Sequence, residues 1–371
     1  MAEKSLFVRQ YKVEIVNPTQ RTSVSGGLYN LASVNLDSYK VRTISSIGQE
    51  NPLRVSFKIQ AGQSTPAVTT EGSGQMELSV FNLSDTTIAD IMVKDSFIRL
   101  SLGYGNNIDE DDLSQVFYGK IKKALTTYGA EGKKTSIVAV AGDILNYIPI
   151  TVKTPSDIVT HIDKIKWMLN TIRQKSGDQI AVADAISTLE SMNLEDEGTN
   201  GLYLGQEIRG TSTYAGTAAV VLGTLLRPFR IGWSLMDDRI ILTRRGFIEP
   251  KKPFVKLTLT SGLLTIPKTA VDDDNQIDPK APVDYTHRIL IDPDIRPGSF
   301  IMTEDLIDEN GQRVKEEIKQ SVQEIVITGD YEGNSWFMDL SATRTDRSFY
   351  DNRSSNSVQQ LTEKLNTQGG G

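Results

Sequence analysis

The chain contains no cysteine. That absence excludes disulfides, thiolate metal sites and cysteine nucleophiles, and is compatible with synthesis in a reducing cytoplasm. Histidine is nearly missing too. His161 and His287 are the two in 371 residues, more than a hundred positions apart and without local partners for a metal or a triad, so neither is expected to act as ligand or general base. No stretch reaches the roughly 18 apolar residues of a membrane-spanning helix. The most apolar window, Ala218–Leu226, is short and contains Gly223 and Thr224, so no membrane insertion is expected. Met1–Ser5 lacks a basic segment followed by an apolar run, so no secretory signal is expected there. Positive charge is not in excess either: 40 basic side chains against 47 acidic ones give a net charge of -7, which argues against a protein held mainly by nucleic-acid phosphate.

What is present is the composition of a chain that folds. With 38% hydrophobic and 23% charged residues it lies far from the low-hydrophobicity, high-charge region where chains stay disordered. Its length allows two to four compact units, since a domain usually takes roughly 100–200 residues.

From Leu6 to about Asp143 the pattern is β, in short alternating stretches separated by Gly, Asn, Asp and Ser. Val55, Phe57 and Ile59 alternate with Ser56 and Lys58. Met76, Leu78 and Val80 oppose Glu77, Ser79 and Phe81, and Ile98, Leu100 and Leu102 oppose Arg99 and Ser101. Each predicts a half-buried strand. Between the last two, Ile88, Ile91 and Met92 fall at helical spacing over Asp85–Lys94, behind an Asn-Leu-Ser-Asp start suited to capping. Phe117–Ile121 and Ile137–Ala141 read as strands, with a glycine-containing turn over Tyr128–Lys134 between them.

After Asn146 the period changes. Ile158, Ile162, Ile165, Leu169 and Ile172 form a stripe near 3.6 residues, and Ser156, between Pro155 and Asp157, fits the start of that helix. A second helix is expected to carry Val182, Ile186, Leu189 and Met192. A third runs from about Thr213 through Ala218, Val221, Leu222 and Leu225 to a stop at Pro228. Ile231, Trp233 and Leu235 then alternate, Asp237-Asp238 turn the chain, and Ile240 and Leu242 return as a hairpin. Val255–Leu259, Ile289–Ile291, Phe300–Thr303, Val322–Thr328 and Trp336–Leu340 bring the chain back to β, with Pro297-Gly298 as a type II turn. Beyond Arg347 the sequence is polar and ends in three glycines. Val358, Leu361 and Leu365 suit a short helical stretch in that tail.

Candidate chemistry is sparse. Gly-x-Ser-x-Gly and His-Glu-x-x-His patterns are absent, which removes the usual serine-hydrolase and zinc-protease signatures. Gly132-Lys133-Lys134-Thr135 has its neighbouring Gly129 at the wrong spacing for a phosphate loop and reads as a basic hairpin turn. Gly103-Tyr104-Gly105 lacks the third glycine and helix that pyrophosphate binding needs. The acidic runs Asp109–Asp112 and Asp272–Asp274 offer carboxylates for a hard cation, but neither has the glycine and closing glutamate of a calcium loop, so both read as solvated loops. Trp167, Trp233 and Trp336 are candidates for a sugar platform, yet each falls in an expected helix or strand and reads as core or interface. No catalytic residue, metal ligand or cofactor site is therefore assigned, and no cofactor is expected.

Three segments taken in order resemble the bacteriophage tail baseplate hub family, also called phage protein D or tail hub, which is related to the hub part of type VI secretion spikes. The first is QMELSVFNLSDTTIADIMVKDSFIRLSLGY at Gln75–Tyr104, with VFYGKI at Val116–Ile121 and VAVAGD at Val138–Asp143. The second is Ala218–Thr243, a leucine-rich helix followed by IGWSLMDDRIILT. The third joins IDPDIRPGSF at Ile291–Phe300 to VQEIVITGDYEGNSWFMDLSATR at Val322–Arg344. The chain departs from many relatives in carrying Ile327-Thr328, rather than a histidine, before Gly329-Asp330, and its Pro149–Glu207 region is loosely matched.

The resemblance implies a mainly β fold with an α-helical insertion, an α+β chain of two tube-like β-barrel or sandwich modules and a helical middle. The expected divisions are 1–145 for the first tube-like domain, 146–210 helical, 211–250 a helix-hairpin part, 251–345 the second tube-like domain and 346–371 a flexible or partner-ordered tail. It further implies a non-enzymatic homotrimer in the virion, assembled in the host cytoplasm, that adapts a hexameric tail tube to a three-fold central spike. Its partners would be a tail tube or distal tube protein, the central spike protein and other baseplate proteins, with genomic DNA passing through the channel unbound. A tail-associated cell-wall hydrolase and a receptor- or carbohydrate-binding tail protein are the rival readings.

Overall fold

The structure is a computed structural model, and it describes residues 8–18, 39–62, 74–93, 96–105, 109, 112–130, 132–178, 180–192, 202–208, 210–236, 239–244, 252–269, 284–307 and 313–345. The first part holds β1 (Arg9–Pro18), β2 (Tyr39–Ser45), β3 (Val55–Gly62), β4 (Gln75–Phe81), α1 (Asp85–Ile91), β5 (Phe97–Tyr104), β6 (Ser114–Gly129) and β7 (Gly132–Val140). The middle holds β8 (Pro149–Lys153), α2 (His161–Lys175), α3 (Ala183–Ser191), β9 (Thr213–Thr217), α4 (Ala218–Leu226), β10 (Ile231–Met236) and β11 (Arg239–Arg244). The last part holds β12 (Phe254–Leu257), β13 (Leu263–Thr269), β14 (Asp284–Ile289), β15 (Phe300–Ile307), β16 (Arg313–Asp330) and β17 (Trp336–Arg344). The protein is thus mostly β with four short α-helices among the described residues.

Alternation builds the strands as the sequence predicts. Val55, Phe57 and Ile59 on β3 and Met76, Leu78 and Val80 on β4 are buried, while Lys58 and Glu77 between them face solvent. Ser84 caps α1 by accepting from the Thr87 N–H. Pro297-Gly298 turns as expected, with Gly298 at φ 84° and the Ser299 N–H donating to the Arg296 carbonyl at 2.9 Å. The Asp237-Asp238 turn, the Asp272–Asp274 run and the tail stretch of Val358, Leu361 and Leu365 lie outside the described residues.

Thirteen strands form one sheet in the order β12-β15-β13-β14-β17-β16-β3-β4-β7-β6-β5-β1-β2. Its organising element is β16, which at 18 residues is long enough to change partners. One edge pairs with β15 over Arg313–Ser321 and with β3 over Glu324–Asp330, while the opposite edge pairs with β17 over Gln320–Gly329. The exchange falls at a bulge at Gln323, between Val322 and Glu324. Because β16 also bonds to β15, the strands β15, β16, β17, β14 and β13 form a closed circuit, completed by the parallel pair Lys268 and Ile307. The buried faces on both sides of β16 belong to one continuous core, from Tyr11 and Ile15 through Phe57, Leu78 and Ile137 to Ile327, Trp336 and Leu340.

A second core belongs to the middle of the chain. It packs Ile150, Ile165, Leu169, Ile172, Leu189, Leu222, Leu226, Ile231 and Leu242 from α2, α3, α4 and the two small sheets β8-β9 and β10-β11. Met236 at the end of β10 reaches into the first core instead, so the β10-β11 hairpin touches both.

Four local expectations are corrected. The helix of the isoleucine stripe starts at His161, so Ile158 lies before it and Ser156 is not its cap. Thr160 takes that role in a reciprocal box: its Oγ1 accepts from the Asp163 N–H at 3.3 Å, and Asp163 Oδ2 accepts from the Thr160 N–H at 3.3 Å. The third helix starts at Ala218, because Thr213–Thr217 is extended and pairs with Pro149–Lys153, and Gly216 at φ 147° adopts a backbone conformation that helical residues do not. The turn expected over Tyr128–Lys134 is tighter: Tyr128 already pairs with Lys133, and Gly129 with Gly132. Finally β13, with Pro267 inside it, adds a strand absent from the sequence reading, bulged where it meets β14.

Candidate assembly surfaces

The two histidines occupy different parts of the fold. His161 is the first residue of α2, half-buried with its ring 5.3 Å from that of Phe229, and burial followed by the neighbouring Lys164 charge lowers its pKa. His287 lies on β14 and is fully buried. Its Nε2 is 2.6 Å from Gln320 Oε1, and the Gln320 Nε2 donates to Thr303 Oγ1 at 3.1 Å. Since that donation orients the glutamine oxygen toward the ring, His287 holds its proton on Nε2, and Nδ1 has no hydrogen-bond partner among the described residues. Burial pushes its pKa down to about 4, partly opposed by the Gln320 bond. This is a neutral strut across β14, β15 and β16, bonded through Gln320 to Thr303.

The glycine motifs resolve into turns and strand ends. Gly132 at φ 97° closes the β6-β7 hairpin against Asn82, whose N–H donates to the Lys133 carbonyl at 2.7 Å and whose Oδ1 accepts from the Lys133 N–H at 3.2 Å. A strand follows, not the helix that a phosphate cradle requires. Tyr104, between Gly103 and Gly105, ends β5 and accepts the Ile291 N–H on its hydroxyl at 3.0 Å. Asp109 and Asp112 bond to each other across a turn, and no group of three His, Asp or Glu suited to a metal occurs among the described residues.

The tryptophans are not a platform. Trp336 is buried, 5.3 Å from Phe57 at 75°, with Arg9 over its ring. Trp167 and Trp233 are half-buried against the second core.

What the fold does present is a braced junction and two long hairpins. At the junction Arg54 bonds Asp330 Oδ2 at 3.1 Å, Arg9 donates to the backbone carbonyls of Asp330 and Gly333, and Tyr11 packs edge-on against Tyr331 at 5.1 Å. Asp330 is itself buried enough to resist ionisation, yet Arg54 and the N–H groups of Gly333 and Glu332 hold its pKa below the ordinary value. The Phe57 ring is fitted over Gly329, where a Cβ would stand within 2.5 Å of Phe57 Cε1. The hairpins are β6-β7 and β15-β16, each with a strand that outruns one neighbour: β6 passes β5 after Lys120, and β16 passes β17 before Lys319.

No family model and no curated protein matches the chain. Several solved structures are similar to the chain over most of its length. One is the E. coli c3393 protein, described as a type VI secretion component with structural similarity to the T4 tail proteins gp27 and gp5: it is 11% identical, the alignment covers 82% of this chain and 77% of that one, and the TM-score is 0.47. A tail protein from Neisseria meningitidis is 11% identical over 82% of this chain and 96% of its own, at 0.46. The 43 kDa tail protein of prophage MuSo2 from Shewanella oneidensis is 10% identical over 83% and 95%, at 0.45.

Proposed function

We propose that the chain is a structural, non-catalytic subunit of a phage tail baseplate, the hub between the tail tube and the central spike. The observation that carries this reading is that β strands from either side of the helical middle join in one sheet through β16, which pairs with β3 and with β17. On this reading residues 1–145 and 251–345 are two tube-like modules, 146–210 and 211–250 form the middle, and 346–371 is a tail for partners. Three copies bring six modules around one axis and so match a hexameric tube above and a three-fold spike below. Other baseplate proteins bind the outside, and genomic DNA passes through the opening without specific contacts. The work is done by shape and interface burial, as symmetric assemblies require, and not by bond chemistry.

The reading is tested by mass measurement of the full chain with its neighbouring tube and spike proteins. Three copies bridging both neighbours are expected. An assembly without three-fold stoichiometry, or clearing of peptidoglycan by the purified chain that one carboxylate substitution abolishes, sinks it.

A further inference from the structure

Lys164 puts a charge beside the second core. It lies in the first turns of α2 with 8% of its surface exposed, where its helix neighbours Ile162, Ile165 and Met168 are buried as well. Its ammonium has no carboxylate at ion-pair distance and no hydrogen-bond acceptor among the described residues. What it meets there is the Tyr214 ring of β9, 5.8 Å from Nζ to the centroid. Buried charges are ordinarily paired, because desolvation is expensive and an aromatic face returns only part of what water supplied. The stem is covered while the nitrogen still touches solvent, so an ion can reach it.

His161 stands three residues earlier, on the same face of the helix. Its ring leans on Phe229 at 5.3 Å, and neither ring nitrogen has a hydrogen bond among the described residues. Burial and then the Lys164 charge lower its pKa, so the two side chains are near enough to repel. The backbone of the first turn is already engaged. His161 donates to the Gln206 carbonyl at 3.2 Å, Ile162 to the Leu204 carbonyl at 2.9 Å, Asp163 to Thr160 Oγ1 at 3.3 Å and Lys164 to the Thr160 carbonyl at 3.1 Å. Any ligand here is therefore held by side chains and not by the helix end. The Asp163 carboxylate is taken by the Thr160 hydroxyl at 2.6 Å, and Glu207, Arg227 and Arg230 on the neighbouring segments are exposed.

We propose that His161 and Lys164, backed by the Tyr214 ring, bind one small oxyanion at the start of α2. The anion accepts from Lys164 Nζ and from a ring N–H of His161, and supplies a counter-charge to the buried ammonium. Its negative charge also favours the protonated imidazole, so occupancy raises the titration midpoint of His161 and binding tightens as pH falls through that midpoint. The site joins α2 to β9 and to the Leu204–Ile208 segment, and its occupancy stabilises the middle of the chain. It does not depend on the hub reading above.

With His161 and His287 the only histidines, the readout is direct. The full chain, labelled at histidine, is titrated with sodium sulfate at an ionic strength held by sodium chloride, and the ring signals are followed by NMR, with His161→Asn giving the assignment. A saturable movement of the His161 signal is expected, with the buried His287 signal still, and the His161 midpoint should rise when sulfate is present. Sulfate keeps its charge across the titration of histidine, so the shift belongs to the protein. Acetate in a parallel titration separates the sources: saturation by both anions supports a site that also takes carboxylates, and saturation by sulfate alone supports one for inorganic dianions. Lys164→Met keeps the stem and should weaken sulfate binding about tenfold or more, as loss of a charged hydrogen-bond donor does, whereas Lys164→Arg should retain it. Matching thermal melts check that the variants fold. No saturation by either anion, an equal response to chloride alone, or an unchanged response in Lys164→Met overturns the proposal. Each of those results leaves the hub reading standing, since no tube or spike contact enters the measurement.

Discussion

Gly329→Ala tests the joint at β16. The glycine pairs with Phe57 on one side and Trp336 on the other, and the Phe57 ring lies across the space a side chain would need. A Cβ would stand within 2.5 Å of one ring carbon and 2.8 Å of another, well inside contact distance. Phe57 has little room to yield, being buried against Trp336 at 5.3 Å. Overpacking of this kind costs roughly 1–3 kcal/mol. In a Phe57→Leu background the ring is gone, and the same substitution should become neutral or gain up to about 0.5 kcal/mol, because alanine restricts the unfolded chain more than glycine does. A change of sign between backgrounds is therefore expected, with a coupling of about 1–3 kcal/mol in the range that touching residues show. Urea unfolding followed by tryptophan fluorescence reads all four corners of the cycle. Equal costs for Gly329→Ala in both backgrounds would refute the claim that ring and glycine are fitted to each other.

Two further outcomes follow from the geometry. Thr160→Ala should lower the melting stability by about 1 kcal/mol through loss of the capping box, whereas Ser156→Ala should stay within about 0.5 kcal/mol of the parent, as a thermal melt of each will show. His287 carries a pKa of about 4 in the folded chain against an ordinary value of 6.5, so the unfolded state binds the extra proton between those values and stability falls as pH drops from about 6.5 to about 4. The full effect is about 3 kcal/mol. Denaturant titrations across that window should show a flatter slope for His287→Gln, and an unchanged slope would contradict the assignment of a neutral, buried ring.

Local periodicity made most strands and helices legible. Val55 to Ile59, Met76 to Val80 and the hairpin around Trp233 needed only alternation, a property of neighbouring residues. The failures were contests between equally local signals. Ser156 and Thr160 are both acceptable caps, and what separates them is the acid three residues on, present at Asp163 and absent at Val159. Thr213–Thr217 was absorbed into the following helix because its own pattern is too short to speak, and its partner Pro149–Lys153 lies more than fifty residues away. The partner exchange on β16 has the same cause: the Val322–Thr328 alternation marks a strand, but nothing in it states which strand lies alongside. The lysines of residues 120–134 were visible from the start as a basic turn. That they lie where β6 outruns its neighbour depends on β5 ending first, which only the pairing reveals.

A single backbone running through both halves of the large sheet has a mechanical consequence. Pivoting one half against the other would require breaking the hydrogen bonds that β16 makes to β3 and to β17 over the same residues, Glu324 to Gly329. Twisting forces applied at one end are therefore carried to the other by the strand itself, and compliance in this protein belongs to its middle layer, whose own core is separate and touches the sheet through the β10-β11 hairpin.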